Sequence, residues 1–194
     1  MEDKRITKTK RNLKETMVSL LRRIPFEKIN VTGLCKKADT SRITFYTYYD
    51  DKYSLISEIM EDYHREAVED YHKMQELNNP KRNVLTGYFN MLDSILHLYT
   101  NHPNFFEMVS SDKNPYLFSA FYQYVFHNVE NYIEQHSTKI RAKYPAAMTA
   151  TLLCNGLLGV INECYKTKKT IEKMIPAIRN MYKDILMSNL FVMA

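Results

Sequence analysis

Four Gly and six Pro are all the backbone punctuation that 194 residues carry. Gly and Pro are the strongest local breakers of regular structure, so a chain this short of them must run in long elements. Pro25, Pro80, Pro103, Pro115 and Pro145 cut it into segments whose apolar residues recur at helical spacing. No strict alternation extends beyond about four or five residues, which argues against strands. The pattern predicts an all-α protein. With 45% hydrophobic and 12% aromatic residues it can bury a core, which excludes a disordered or fibrous chain.

The first helix is expected over about residues 9 to 23, with Leu13, Met17, Leu20, Leu21 and Ile24 on the inner face and basic residues outside. Pro25 ends it. Thr32 suits the N-cap of a short helix, Gly33 to Lys37, and Thr40 or Ser41 caps another that runs to Tyr46 or Thr47. Two short helices separated by a few residues have the dimensions of a helix-turn-helix. A long helix is predicted from Asp51 to Leu77, stopping ahead of Asn78-Asn79-Pro80. Further helices are predicted at about 82 to 101, 115 to 136, 146 to 166 and 171 to 192, with a short piece after Pro103. Pro176 requires the last of these to kink or to start later.

Charge is distributed unevenly along these elements. Residues 1 to 60 hold 13 Lys and Arg against 8 Asp and Glu, and the remaining residues hold 14 of each, so the net +5 lies entirely in the first third. That asymmetry points to an N-terminal part that meets a polyanion. The densest stretch within it is TSRITFYTYYDDKYSLI, residues 40 to 56. Thr40, Ser41, Arg42, Thr44, Tyr46, Thr47 and Tyr48 supply hydrogen-bonding groups there, and Ile43, Phe45 and Tyr49 supply apolar anchors toward the first helix. A reader of double-stranded DNA needs this mixture, hydroxyls and cations for phosphates and a few side chains for base edges. Lys52 adds a cation at the start of the next helix, where backbone amides also suit phosphate.

The order of these residues resembles the N-terminal domain of the TetR family of bacterial transcriptional regulators. The resemblance rests on Val31-Thr32, Ala38, Thr44-Phe45-Tyr46, Tyr48-Tyr49, and Lys52 with Leu55, and it covers about residues 9 to 56. It implies a three-helix DNA-binding domain over residues 1 to 56, joined by the long helix to a helical effector-binding and dimerisation domain over 57 to 194. It further implies that Thr32, Ser41, Tyr46, Tyr48 and Lys52 grip phosphates, with Thr47 beside them, while Arg42 and Thr44 face the major groove. The alternatives are that Thr32 and Ser41 serve only as caps, that Tyr46 mainly packs, and that Arg42 contacts phosphate. Two positions depart from the common pattern: Asp39 stands where a turn Gly is usual, and Ile43 where the recognition helix often has Gly. Asp tolerates a left-handed turn. Ile43 either meets a thymine methyl or tucks inward.

Residues 61 to 194 carry 18 of the 24 Tyr and Phe. The resemblance implies an effector cavity among the middle helices, for which Tyr63, Tyr88, Phe89, Phe105, Phe118, Phe121 and Tyr122 are the candidate lining; it would suit an apolar or aromatic compound. TLLCNGLLGVINE looks like the short Gram-positive type of C-terminal domain, which includes co-regulators that bind a protein partner instead. Apolar stripes through Leu153, Leu157 and Ile161 and through Ile178 and Ile185 are expected to form a homodimer interface, with Gly156 and Gly159 allowing close approach. A twofold dimer would match a pseudo-palindromic operator, and the regulator is expected to be a repressor, with activation as the alternative.

An enzyme is not expected: no nucleophile motif, Gly-rich phosphate loop or zinc spacing is present, and no cofactor or metal is implied. His64 and His72 lie two turns apart on one helix, and His97 and His102 read as a polar rim and a cap. Cys35, Cys154 and Cys164 read as small buried thiols. No uninterrupted apolar run approaches the ~18 to 20 residues of a membrane span, and no apolar signal segment opens the chain, so a cytoplasmic protein without membrane contact is expected.

Overall fold

The computed structural model describes residues 4–167, 170–188 and 190–193. Its described residues form α1 (Lys4–Leu21), a 3-10 turn (Phe26–Lys28), α2 (Val31–Lys37), α3 (Arg42–Tyr48), α4 (Lys52–Asn78), α5 (Val84–Asn101), α6 (Pro103–Phe106), α7 (Pro115–Gln135), β1 (Ile140–Ala142), α8 (Ala146–Lys166), α9 (Ile171–Leu186) and β2 (Phe191–Met193). The all-α prediction holds, with one small addition. The last helix stops at Leu186 rather than near residue 192. Ser188 Oγ donates to the Ile185 carbonyl at 2.6 Å and closes the helix end, and the chain returns as β2, antiparallel to β1 with Ala142 opposite Phe191. Pro176 lies inside α9, which is helical on both sides of it.

Two compact units make up the chain. The first comprises the described residues up to Arg65 together with His102–Phe118, and the second comprises Glu66–Asn101 and the described residues from Ser119 onward. α4 thus supplies residues to both.

In the first unit, α1 begins four or five residues earlier than its apolar pattern predicts, at Lys4. Its buried face is Leu13, Met17 and Leu21, while Ile24 lies past the helix end and is exposed. α1 is clamped to α4 by charge. Lys10 Nζ lies 3.1 Å from Glu58 Oε2, and Lys14 Nζ lies 2.7 Å from Glu58 Oε1 and 2.5 Å from Asp62. Burial opposes ionisation of Glu58, but hydrogen bonds from Lys14, Lys10 and Tyr49 outweigh it and hold the carboxyl below its usual range.

The link between α1 and α2 is organised by Lys52, at the first position of α4. Its Nζ donates to the carbonyls of Phe26, Glu27 and Ile29 at 2.8, 2.9 and 2.9 Å. An ammonium has three N–H donors, so all are used. The same Nζ sits 4.7 Å from the centroid of the Phe26 ring, which is fully buried. Tyr116 stacks on Phe26 at 5.4 Å and Tyr53 meets it edge-on at 5.2 Å. Asn114, 1% exposed, accepts from the Phe26 backbone N–H at 2.7 Å and donates to the Met108 carbonyl at 3.0 Å. Residues 102 to 118 are tied to the first unit through this contact.

In the second unit, α5 buries Leu92, Ile95, Leu96, Leu98 and Tyr99, and α7 buries Phe121, Val125 and Val129. The turn between α4 and α5 holds Arg82 at φ 52°. There Asn79 Oδ1 accepts from Asn83 N–H at 2.7 Å, and Asn79 Nδ2 donates to Gln75 Oε1 at 2.6 Å. α8 buries Thr149, Ala150, Leu153, Cys154, Leu157, Leu158, Ile161 and Cys164, and α9 buries Ile171, Ile178, Tyr182 and Leu186. By length and composition α8 is long and apolar enough to cross a membrane. Its apolar side instead packs within this unit, where Tyr182 OH donates to the Leu153 carbonyl. All three cysteines are free and buried, and burial pushes the Cys154 thiol up to about 12.

The Lys52 geometry generates a stability prediction. Lys52→Met keeps the apolar stem but removes all three donations. The Phe26 carbonyl keeps the Ile29 N–H at 3.1 Å, so the Glu27 and Ile29 carbonyls are the ones left without a side-chain partner, and urea melts should show a loss of roughly 1 to 3 kcal/mol. Unchanged stability combined with a shallower salt dependence of DNA binding would instead place the ammonium on a phosphate.

Candidate functional site

The helix-turn-helix is built by two side-chain caps and one left-handed residue. Asn30, not Thr32, caps α2: its Oδ1 accepts from Gly33 N–H at 2.8 Å. Asn30 has the extended backbone of an N-cap, φ −115° and ψ 153°. Thr32 falls inside the first turn of α2 and is exposed, which leaves its hydroxyl for an outside partner. The helix ends on Ala38, and Asp39 takes φ 49°. Thr40 N–H then reaches back to the Cys35 carbonyl at 3.0 Å, the closing bond of a Schellman turn. Asp39 therefore does the work of the turn Gly. Ser41 caps α3, accepting from Thr44 N–H at 3.0 Å.

Among the α3 side chains, Phe45 and Tyr49 are buried as expected, and Ile43 is not. It is 84% exposed, a correction to its expected role as an anchor toward α1. The reason is helical phase: Phe45 and Tyr49, four apart, take the inner face, and Ile43 lies two residues out of step with Phe45. Arg42 is exposed and its guanidinium lies 5.9 Å from the Tyr46 ring centroid, one turn along the same face. Tyr46 is 49% exposed and meets the Phe45 ring edge-on at 5.4 Å. Ser41 and Thr44 hydroxyls pair at 2.8 Å, and Thr47 Oγ1 donates to the Ile43 carbonyl at 3.0 Å.

Arg5, Ile6 and Thr9 of α1 and Asp39, Ser41, Ile43, Thr44, Thr47 and Tyr48 line one surface groove of about 440 Å³. The structure thus gathers Ser41, Thr44, Thr47 and Tyr48 from the expected DNA-binding set, with Arg42 and Tyr46 on the exposed side of the same helix. Lys52 stands apart, because its three donors are spent on the Phe26–Ile29 carbonyls. Thr32 is on α2.

The expected effector lining does not converge. Tyr63 packs on His102, Phe105 and Phe106 at 4.5 to 5.2 Å within the first unit, to which Phe118 also belongs. In the second unit Phe89 lies beneath the Arg179 guanidinium at 5.8 Å, Phe121 meets Tyr99 at 6.0 Å, and Tyr122 stacks on Phe126 at 6.0 Å. Only Tyr88 of the seven lines the apolar cavity of that unit, with Leu92, Val125, Leu153, Leu157 and Tyr182 among others. That cavity measures about 30 Å³, far below the ~300 to 1,000 Å³ of small-molecule sites. Aromatic residues spaced along helices mostly became core.

A larger cavity of about 260 Å³ lies elsewhere in the second unit, lined by Tyr71, Ser94, Tyr124, Asn128, Asn131, Tyr132, Gln135 and His136 and by the apolar Ala67, Val68, Met91, Ile95 and Val125, from α4, α5, α7 and the residue after α7. No Lys, Arg, Asp or Glu lines it. Asn128 Nδ2 donates to the Tyr124 carbonyl at 2.8 Å, which leaves its Oδ1 toward other donors. Burial raises the Tyr124 hydroxyl to about 12, so it stays protonated near neutrality. The signal for this site was legible, since Tyr124, Asn128, Asn131 and Gln135 recur at i, i+4, i+7 and i+11.

The expected dimer residues also need correction. Leu153, Leu157, Ile161 and Ile178 are buried inside the subunit, and Ile185 is half-buried. Outward on α8 are Met148 and Leu152, 63% and 58% exposed, with Gly156 and Gly159 continuing the same line; a Cβ at Gly159 would meet nothing within 4 Å. Met181 of α9 and Met187 just beyond it are also exposed. An apolar stripe at helical spacing marks a buried face without saying what buries it, and here α9 packs on α8, and α5 and α8 pack on α9.

Among the described residues no group of three or more His, Cys, Asp or Glu lies close enough to hold a metal ion. His97 Nδ1 lies 2.6 Å from Asp70 Oδ2, and His102 occupies the N-cap position of α6. His64 and His72 are exposed.

No protein-family model matches the sequence, and no curated protein matches it. Solved structures do match. A putative TetR-family transcriptional regulator from Syntrophomonas wolfei str. Goettingen is similar with a TM-score of 0.73 at 11% identity, over 94% of this chain and 96% of that one. A TetR transcriptional regulator from Streptococcus agalactiae 2603V is similar with a TM-score of 0.63 at 21% identity, over 92% and 96%. The dihydroxyacetone kinase operon activator DhaS is similar with a TM-score of 0.53 at 17% identity, over 89% and 93%. The helix-turn-helix closed by Asp39, the long α4 and the helices that follow together make the fold of the TetR-family transcriptional regulators, and this chain has that fold along most of its length.

Proposed function

We propose that the chain is a sequence-specific DNA-binding transcriptional regulator of the TetR type, working in the cytoplasm as a homodimer on a pseudo-palindromic operator. The observation that carries this reading is the outer face of α3. A structural helix of seven residues has no use for an exposed Arg42, Ile43 and Tyr46 side by side, whereas a helix entering the major groove does. The charge of the first third, 13 basic against 8 acidic residues over 1 to 60, supplies attraction to phosphate. Thr32, Ser41, Thr44, Thr47 and Tyr48 are the phosphate and sugar contacts in this reading, and Arg42 reads a base edge.

One helix-turn-helix binds weakly, so function requires a dimer that sets two heads about 34 to 36 Å apart. The outward line Met148, Leu152, Gly156 and Gly159, with Met181, is the interface that this reading assigns. An effector that shifts the populations of head spacings then changes DNA affinity. The 260 Å³ cavity is its assigned site, and its lining, without a charged residue and with Val68, Met91, Ile95 and Val125 beside the amides and hydroxyls, suits an uncharged molecule that carries both apolar and hydrogen-bonding groups. Repression follows where the operator overlaps a promoter. The small size of the apolar cavity, about 30 Å³, favours a second reading, an activator or co-regulator whose second unit meets a protein partner.

Titration of the duplex upstream of the chain's own gene tests the central reading: a shift by a dimer-sized species should weaken with salt at a slope of about −0.9 per phosphate contact in log–log form. A folded dimer inert to that duplex and to a random pool would sink it. Leu152→Glu should yield a monomer by light scattering at micromolar concentration with an unchanged helical spectrum, and operator affinity should collapse. Leu157→Glu, which buries a charge within the subunit, should unfold the protein. Protein purified from its native cells should release an uncharged small molecule on denaturation, in stoichiometric amount, and Asn128→Phe should release none. Wild-type protein that carries nothing and responds to no metabolite extract would favour the protein-partner reading.

A further inference from the structure

Among the described large apolar side chains of the first unit, Ile43 is the most exposed, at 84%. Nothing in the fold requires it. It is out of phase with the buried Phe45 and Tyr49, and a β-branched residue in a helix is less favourable than the Ala, Lys or Arg that a merely solvated position would accept.

Its surroundings narrow what can cover it. The hydroxyls that flank it already have partners on their own chain. Ser41 and Thr44 pair at 2.8 Å, Ser41 Oγ takes the Thr44 N–H, and Thr47 donates to the Ile43 carbonyl. The outer face of α3 therefore presents a guanidinium, a phenol ring and one aliphatic side chain. The groove that Ile43 lines also contains Arg5, with Asp39 as its one acidic group, in a third of the chain with five more basic than acidic side chains. That charge selects a polyanion as occupant. On the major-groove edge of a polyanionic duplex the only apolar feature of any base pair is the C5-methyl of thymine.

We propose that Ile43 is a specificity-determining residue that reads the C5-methyl of a thymine in each half-site, next to the base that Arg42 addresses. The proposal rests on the DNA-binding reading above and adds which atom is read. Because the contact is apolar, it discriminates thymine from cytosine and from uracil without a hydrogen bond. Removal of one methyl from such a contact lowers affinity about four-fold, and removal from both half-sites of a dimer about fifteen-fold.

The test removes that methyl alone. Duplexes bound by the full chain are selected from a random pool, and the enriched sequence is resynthesised with deoxyuridine at one symmetric pair of thymines at a time. One pair should show the fifteen-fold loss for the wild-type chain. Ile43→Ala should bind the thymine and deoxyuridine duplexes alike, with Ile43→Val intermediate, and both variants should keep the wild-type melting curve because the side chain is exposed. Thymines that all tolerate deoxyuridine, or a loss of equal size in Ile43→Ala, overturn the proposal while leaving DNA binding standing. A pool from which nothing is enriched overturns the DNA-binding reading and this inference together.

Discussion

Three backbone carbonyls converge on one ammonium, and the architecture of the first unit depends on that convergence. The link between α1 and α2 forms a single 3-10 turn, Phe26–Lys28, whose backbone satisfies the Phe26 carbonyl through the Ile29 N–H and leaves those of Glu27 and Ile29 to a side chain. Lys52 Nζ satisfies those of Phe26, Glu27 and Ile29 at 2.8 to 2.9 Å, while Asn114 satisfies the Phe26 N–H. Because Lys52 is the first residue of α4 and the turn leads directly into the Asn30 cap, the direction of α2, and through Asp39 that of α3, follows from where this cation sits. A residue that the family pattern suggests for phosphate is here a structural tie.

The surface of α3 shows a related economy. Its small hydroxyls close the helix start and bond to the helix itself, so they shape the recognition element more than they extend from it. What extends is chemically sparse: Arg42, Ile43 and Tyr46. Sparse faces discriminate by few contacts, each of which counts, and the basic α1 adds charge to the phosphate contacts assigned to Thr32, Ser41, Thr44, Thr47 and Tyr48. In the second unit the economy runs the other way. Most of the aromatic wealth is spent on packing, and the polar stripe of α7, Tyr124, Asn128, Asn131 and Gln135, is what lines the roomier cavity.

Legibility in the sequence varied with how local the cause was. Helix existence was readable for every long segment, because the 3.6-residue period and the proline stops are properties of the segment alone. Asp39 as the left-handed residue was readable for the same reason. The cap of α2 was misplaced by two residues: Asn30 and Thr32 are both good caps, and which one serves depends on where the Lys52-bound turn releases the chain. The end of α9 was misjudged because the pairing of β2 with β1 spans some fifty residues, and no local period announces it.

By itself the sequence determined an all-α chain, a basic first third, a helix-turn-helix around Asp39, and a core rich in Tyr and Phe. Those features follow from periodicity, backbone preference and charge, each of which acts over a few residues. Only the tertiary structure decided which side of each stripe faces inward. Leu153 and Leu157 serve the subunit's own core, Leu152 and Met148 face out, Ile43 projects from α3, and Lys52 is withdrawn from it. Burial depends on which helix lies opposite, and that neighbour is set by the packing of segments distant along the chain.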